Sequence, residues 1–216
     1  MKIGVFDSGI GGKSVVLAIE RDLPQHQVLY AEDHANLPYG SKPPELLLTL
    51  VTPILRKLID DGCQIIVIAC NTVTTTIIDQ LRELFSIPII GIEPMVKPAA
   101  ERTRSGIIAV CATPTTLKSA RYQQLVKDHA SNIIILEPDC SDWATMIQEN
   151  SVNQDRIIGQ IKQLCIQGAD IIVLGCTHYH WIETEINDVA RSFKVRVLQP
   201  EKAIVKQLKL TIAQLG

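Results

Sequence analysis

Short apolar runs dense in Ile and Val alternate along the chain with longer stretches whose apolar residues recur at helical spacing. That is the pattern of βα units feeding a mainly parallel sheet, and the fold class it predicts is α/β. Strands are predicted over residues 2–6, 27–31, 65–69, 89–91, 107–110, 133–136, 171–175 and 195–198. Most of these runs lack polar alternation, as strands covered on both faces do. Helical spacing covers 13–21, 44–60, 74–85, 116–128, 155–167 and 183–192. Pro94 and Pro98 interrupt regular structure and mark the expected boundary between two lobes, 1–95 and 96–200. A C-terminal helix over about 201–216 is expected to pack back on the first lobe.

A long-period repeat adds symmetry to this picture. Residues 61–72 (DGCQIIVIACNT) set against 167–178 (QGADIIVLGCTH) share five of twelve positions, Gly, Ile, Ile, Val and Cys, at an offset of 176 − 70 = 106. At an offset of 108 − 3 = 105, Ile3-Gly-Val-Phe-Asp-Ser8 falls on Ile108-Ala-Val-Cys-Ala-Thr113. The expectation is two pseudo-symmetric lobes, each a mainly parallel sheet flanked by helices. Parallel sheets take ligands at the carboxyl ends of their strands. The repeat therefore assigns Cys70 and Cys176 to the same edge of each lobe, with an active site expected in the cleft between the lobes.

Composition narrows the function classes. The 216 residues are 46% hydrophobic and 20% charged, too apolar for disorder and too interrupted for a membrane protein. Lys+Arg 21 against Asp+Glu 23 gives 21 − 23 = −2, so no global basic field argues for a nucleic acid or membrane partner. Asp7 arrives before an apolar signal region forms, and no later run reaches ~18 uncharged apolar residues, so a cytoplasmic protein is expected. Cysteines 63, 70, 111, 140, 165 and 176 contain no Cys-x-x-Cys pair, which removes the usual structural zinc spacing and the thioredoxin-like motif.

Two thiols on opposite sides of one carbon suit stereochemical inversion, since a thiolate removes a proton from one face while a thiol returns one to the other. A thiol titrates close enough to neutrality to serve in either form, and a helix N-terminus favours the thiolate. A strand-end cysteine is ordinarily a small buried hydrophobe. Cys70 and Cys176 depart from that role because polar residues follow them, Asn71-Thr72 and Thr177-His178; the other four cysteines keep it. Asp7 and Ser8 precede Gly9, Gly11 and Gly12, a glycine-rich turn that matches neither phosphate-binding signature. Asp7 either caps the following helix or serves the site, holding a substrate ammonium or helping to deprotonate Cys70.

The residues Ile3 through Gly12, Tyr30 and Asp33 to Pro38-Tyr39-Gly40, Ala69-Cys-Asn-Thr72, Gly91-Ile-Glu-Pro94, Ala112-Thr113 with Thr116, Ser119 and Tyr122, and Leu174-Gly-Cys-Thr-His-Tyr179 form an ordered set over nearly the whole chain. In these segments the sequence resembles the cofactor-independent aspartate/glutamate racemase family, its glutamate-acting members above all. The resemblance implies Cys70 and Cys176 as the two acid/base residues, with Asp7 assisting near Cys70 and His178 near Cys176. It implies Asp7, Ser8, Tyr39, Gly40, Asn71, Thr72, Thr116, Thr177 and His178 as contacts for the amino and carboxylate groups of an acidic amino acid. The implied activity is racemisation of L- and D-glutamate with no cofactor and no metal. It would supply D-glutamate for peptidoglycan in cell wall biogenesis and cell shape, from a cytoplasmic homodimer.

Three departures qualify the transfer. The family glutamate near the second cysteine falls on Gln148, with Glu149 beside it; a glutamine takes no proton, so assistance to Cys176 rests on His178, on Glu149 after a register shift, or on neither. His180-Trp181 stands where Pro-Leu is usual, and Val73-Thr74-Thr75 where small residues are usual. The departures keep three alternatives open: a racemase of aspartate or of both acidic amino acids, an inactive amino-acid-binding relative, and a metal site at Cys176, His178 and His180, which would need a further ligand from elsewhere.

Overall fold

The computed structural model describes residues 1–215; Gly216, the last position of the helix expected over 201–216, lies outside the described residues. The chain divides into two compact units, Met1–Glu93 together with the segment from Pro200, and Pro94–Gln199. In the first unit β1 (Lys2–Asp7), β2 (Gln27–Glu32), β3 (Ile65–Ile68) and β4 (Ile89–Gly91) form a parallel sheet in the order β2-β1-β3-β4. Helices α1 (Lys13–Asp22), α2 (Pro44–Asp60), α3 (Asn71–Leu84) and the C-terminal α10 (Glu201–Leu215) cover it.

The second unit repeats the scheme. Its strands β5 (Ile107–Ala112), β6 (Ile134–Leu136), β7 (Ile171–Gly175) and β8 (Arg196–Leu198) are parallel in the order β6-β5-β7-β8. Its helices are α4 (Val96–Arg102), α5 (Pro114–Lys118), α6 (Ala120–His129), α7 (Trp143–Gln148), α8 (Gln154–Ile166) and α9 (Glu183–Ser192). No described helix is long and apolar enough to cross a membrane.

Unbroken apolar strands follow from burial on both faces. In β3, Ile66 and Ile68 join Phe6 against Leu47, Val51 and Leu55 of α2 and Val73, Ile77 and Leu81 of α3. Ile65 and Val67 join Ile3 and Val5 on the opposite face, against Val15 and Ile19 of α1 and Ile204, Val205 and Leu208 of α10. In the second unit Ile108, Val110, Ile171 and Val173 pack on Val96, Ala99 and Tyr122. Each fully buried aliphatic side chain contributes roughly 1.5–3 kcal/mol. The central strands of each sheet thus anchor the strand ends behind which the polar residues lie.

The glycine shared by the two halves of the repeat has a backbone cause. Gly62 (φ +91°) and Gly168 (φ +94°) each follow a helix in the left-handed region, Gly62 after α2 and Gly168 after α8. A side chain there is strained, so glycine ends the helix and turns the chain into the central strand.

Four elements differ from the sequence expectation. The helix expected over 74–85 begins three residues earlier, at Asn71, because Cys70 takes the extended N-cap conformation and burial of Asn71 through Thr75 overrides weak helix propensity. The helix expected over 116–128 is two helices broken at Ser119, which is extended (φ −67°, ψ 143°) and whose Oγ accepts from the Tyr122 N–H at 3.2 Å. The 94–98 stretch does not stay irregular, since α4 runs through Pro98 in its first turn, where a helix needs no donor. Helix α7 was not predicted, and it carries Gln148.

Candidate active site

In the first unit the site residues collect behind the carboxyl ends of β1 and β3. Asp7 ends β1, fully buried, and its Oδ2 accepts from the N–H groups of Gly9 (3.3 Å) and Gly12 (2.9 Å). The carboxylate thus ties down the glycine-rich turn that leads into α1. A Cβ on Gly12 would stand 2.4 Å from the Asp7 Cβ, so only glycine permits this approach. Tyr30 donates from its hydroxyl to the Gly9 carbonyl and braces the same turn.

Cys70 follows β3 as the N-cap of α3, with φ −79° and ψ 115°. Its thiol donates to Ser8 Oγ at 3.6 Å. Burial and, next, the Asp7 carboxylate push the Cys70 thiol up to about 12, while the backbone N–H groups of Val73 and Thr72 and the Ser8 hydroxyl act the other way by favouring the thiolate. The resting thiol therefore holds its proton, with donors already aimed at the sulfur for the moment it is lost.

Asn71, 2% exposed, has neither its amide oxygen nor its amide nitrogen hydrogen-bonded within the protein. Buried polar side chains of this kind ordinarily have partners. Thr72 beside it is also buried. Tyr39 donates to Asp33 Oδ2 at 2.7 Å, and Asp33 also accepts from Asn36 Nδ2 at 2.9 Å at each oxygen, so Asp33 locks the turn Tyr39–Ser41 that contains Gly40. Burial, and then Asp33, raise the Tyr39 hydroxyl far above its ordinary value, and the Cys70 and Asp7 charges act in the same direction. Tyr39 is a neutral donor at every physiological pH.

In the second unit Cys176 follows β7, and the chain continues not in extended form but as a 3-10 turn, Thr177–Ile182. Thr177 and His178 are buried. The Cys176 Sγ lies 3.9 Å from His178 Nδ1, and His178 Nε2 lies 3.0 Å from Gln148 Oε1. Trp143 of α7 packs edge-on against Tyr179 with ring centroids 5.1 Å apart, and the Tyr179 hydroxyl donates to the Cys140 carbonyl at 2.9 Å, which fixes α7 against the turn. Thr116 stands at the neighbouring strand end, where the Thr113 hydroxyl donates to Thr116 Oγ1 at 3.0 Å. The neighbouring Cys111 thiol and then burial raise the Cys140 thiol far above its ordinary value, so Cys140 holds its proton.

The structure thus gathers Asp7, Ser8, Tyr39, Cys70, Asn71 and Thr72 in one unit, and Cys176 and His178 in the other. Of the residues that set this geometry, Asp33, legible as the partner of a buried Tyr six residues on, is not a site residue in the sequence reading, while Gln148 is singled out there as the position of the family glutamate but given no role. Glu149 is exposed, whereas Gln148 is half-buried. His180 is half-buried and Trp181 is 47% exposed. Among the described residues no group of three His, Cys, Asp or Glu side chains is arranged to hold a metal ion.

The Asp/Glu/hydantoin racemase family model matches residues 13–208. The chain belongs to this family. It is an amino-acid racemase. It is 36% identical over 217 aligned residues to a glutamate racemase of Stutzerimonas stutzeri, covering 98% of this chain and 82% of that one. Among solved structures, it is similar to the Escherichia coli glutamate racemase in complex with L-glutamate and an activator (TM-score 0.90, 29% identity, 98% of this chain and 82% of that one). It is also similar to the Francisella tularensis glutamate racemase in complex with D-glutamate (TM-score 0.81, 29% identity, 99% and 81%). Two four-stranded parallel sheets flanked by helices are the architecture of this racemase.

Proposed function

We propose that this racemase interconverts L- and D-glutamate by a two-base mechanism in which Cys70 and Cys176 serve opposite faces of the α-carbon. The observation that carries the reading is the equivalence of the two thiols: each follows a central strand of its sheet, each is nearly buried, and each has a polar neighbour at its sulfur, Ser8 for one and His178 for the other. The substrate follows from the glutamate racemases to which the chain is 33–36% identical.

In this reading one thiolate takes the α-proton, the carbanion is stabilised by delocalisation into the α-carboxylate, and the opposite thiol gives its proton to the other face. The reverse turnover starts from the swapped protonation states. The two thiols supply acid and base themselves, without pyridoxal phosphate. The buried amide of Asn71 and the hydroxyls of Ser8, Tyr39, Thr72, Thr116 and Thr177 grip the amino and carboxylate groups, with Gly40 allowing backbone contact. A substrate ammonium near Asp7 offsets the negative charge that opposes Cys70 ionisation. The product serves peptidoglycan synthesis in the cytoplasm.

Chiral chromatography of L-glutamate incubated with reduced protein tests the reading. D-glutamate should accumulate to equality with the L form, and Cys70→Ser and Cys176→Ser should each lower the rate at least 100-fold. Racemisation at the wild-type rate by either variant would refute the two-thiol mechanism.

A further inference from the structure

Gln148 stands against the ring of His178, on the side away from Cys176. The packing of α7 against the 3-10 turn sets Gln148 Oε1 3.0 Å from His178 Nε2, while Nδ1, on the opposite side of the ring, lies 3.9 Å from the Cys176 sulfur. An amide oxygen only accepts, so this contact is a hydrogen bond only when Nε2 bears hydrogen. In the neutral ring Nδ1 is then bare, and its lone pair faces the thiol.

We propose that Gln148 is a positioning residue for the racemase: it selects the Nε2–H tautomer of His178 and so gives the Cys176 thiol a proton acceptor at Nδ1. The proposal rests on the acid/base role assigned to Cys176 above. The S–H proton passes to Nδ1, leaving a thiolate beside an imidazolium that still donates from Nε2 to the amide oxygen. The thiolate then takes the substrate α-proton as the Cys70 S–H bond breaks and its proton joins the other face of the carbon. Unlike a carboxylate, the amide orients the ring without adding charge. The rotated amide, with its NH2 toward Nε2, would instead place hydrogen on Nδ1 and remove the acceptor. The two arrangements therefore predict opposite tautomers.

Two-bond 15N–1H correlation spectra of 15N-histidine-labelled protein distinguish them. The chain has five histidines, and His178→Asn identifies the relevant ring. The wild type should show His178 as the Nε2–H tautomer. Gln148→Met, which fills similar space without an acceptor, should lose that preference and lower kcat about 100-fold, the lower end of what acid/base assistance contributes, with KM little changed. Gln148→Glu should keep the tautomer and restore kcat to within a few-fold of wild type. An Nδ1–H tautomer in the wild type, or a Gln148→Met protein with unchanged spectrum and kcat, would overturn the proposal. If Gln148→Met does not fold, the wild-type and Gln148→Glu spectra still decide the tautomer. A wild type with the expected tautomer that racemises no acidic amino acid would contradict the underlying reaction, a failure distinct from that of Gln148.

Discussion

The protonation state of Cys70 is the sharpest quantitative consequence of the first unit's geometry. The ordinary thiol value of 9.0 is raised to about 12, first by burial and then by Asp7. At about 12 the thiolate is roughly 1000-fold scarcer at pH 8 than in an unperturbed cysteine. Iodoacetamide labelling of the Cys70 peptide, quantified by mass spectrometry between pH 7 and 11, measures this directly. Restricted access slows labelling at every pH but does not move the pH dependence, so the slope separates the two effects. The labelling rate should rise without levelling up to pH 11. Asp7→Asn should shift the profile to lower pH by removing the like charge. A plateau at or below pH 9 would refute the assignment of burial and Asp7 as the controlling forces.

Other consequences follow from single contacts. Gly12→Ala forces a Cβ against Asp7 and should cost roughly 1–3 kcal/mol in chemical denaturation, with a large loss of activity. Trp143→Ala removes a fully buried ring that packs on Tyr179 and should destabilise by roughly 3–5 kcal/mol, read as a lowered melting temperature. Stability should fall in alkali. Cys70, Tyr30, Tyr39, Tyr122 and Tyr179 all have values raised by burial, so their contribution is complete below the unfolded values near 9–10 and is lost as pH climbs toward the folded ones. A urea midpoint that is flat or rising between pH 8 and pH 11 would contradict this.

The strands and the repeat were legible because strands buried on both faces must be continuously apolar, and because glycine with a positive φ is required at 62 and 168. Cys70 and Cys176 stood out by the polar residues after them. What the sequence hid depends on tertiary contact. The early start of α3 at Asn71 and the break at Ser119 are decided by caps that local propensity does not weigh. Helix α7 is too short for a periodic signal, so the approach of Gln148 to His178 appears only once Trp143 docks on Tyr179. The sequence allows Asp7 either a capping or a site role; in the structure it ties the glycine turn through Gly9 and Gly12 while its charge acts on Cys70.

The central claim is that two thiols exchange the α-proton of one acidic amino acid. Proton NMR of L-glutamate and, separately, L-aspartate with reduced protein in deuterated buffer follows loss of the α-proton, with chiral analysis of the same samples. The account predicts that L-glutamate loses its α-proton signal as deuterated D-glutamate forms, faster than L-aspartate reacts, and that Cys70→Ser and Cys176→Ser each slow formation of the D product at least 100-fold. No exchange with glutamate by folded, reduced wild type, or D-glutamate formation at the wild-type rate after the loss of either thiol, would contradict it.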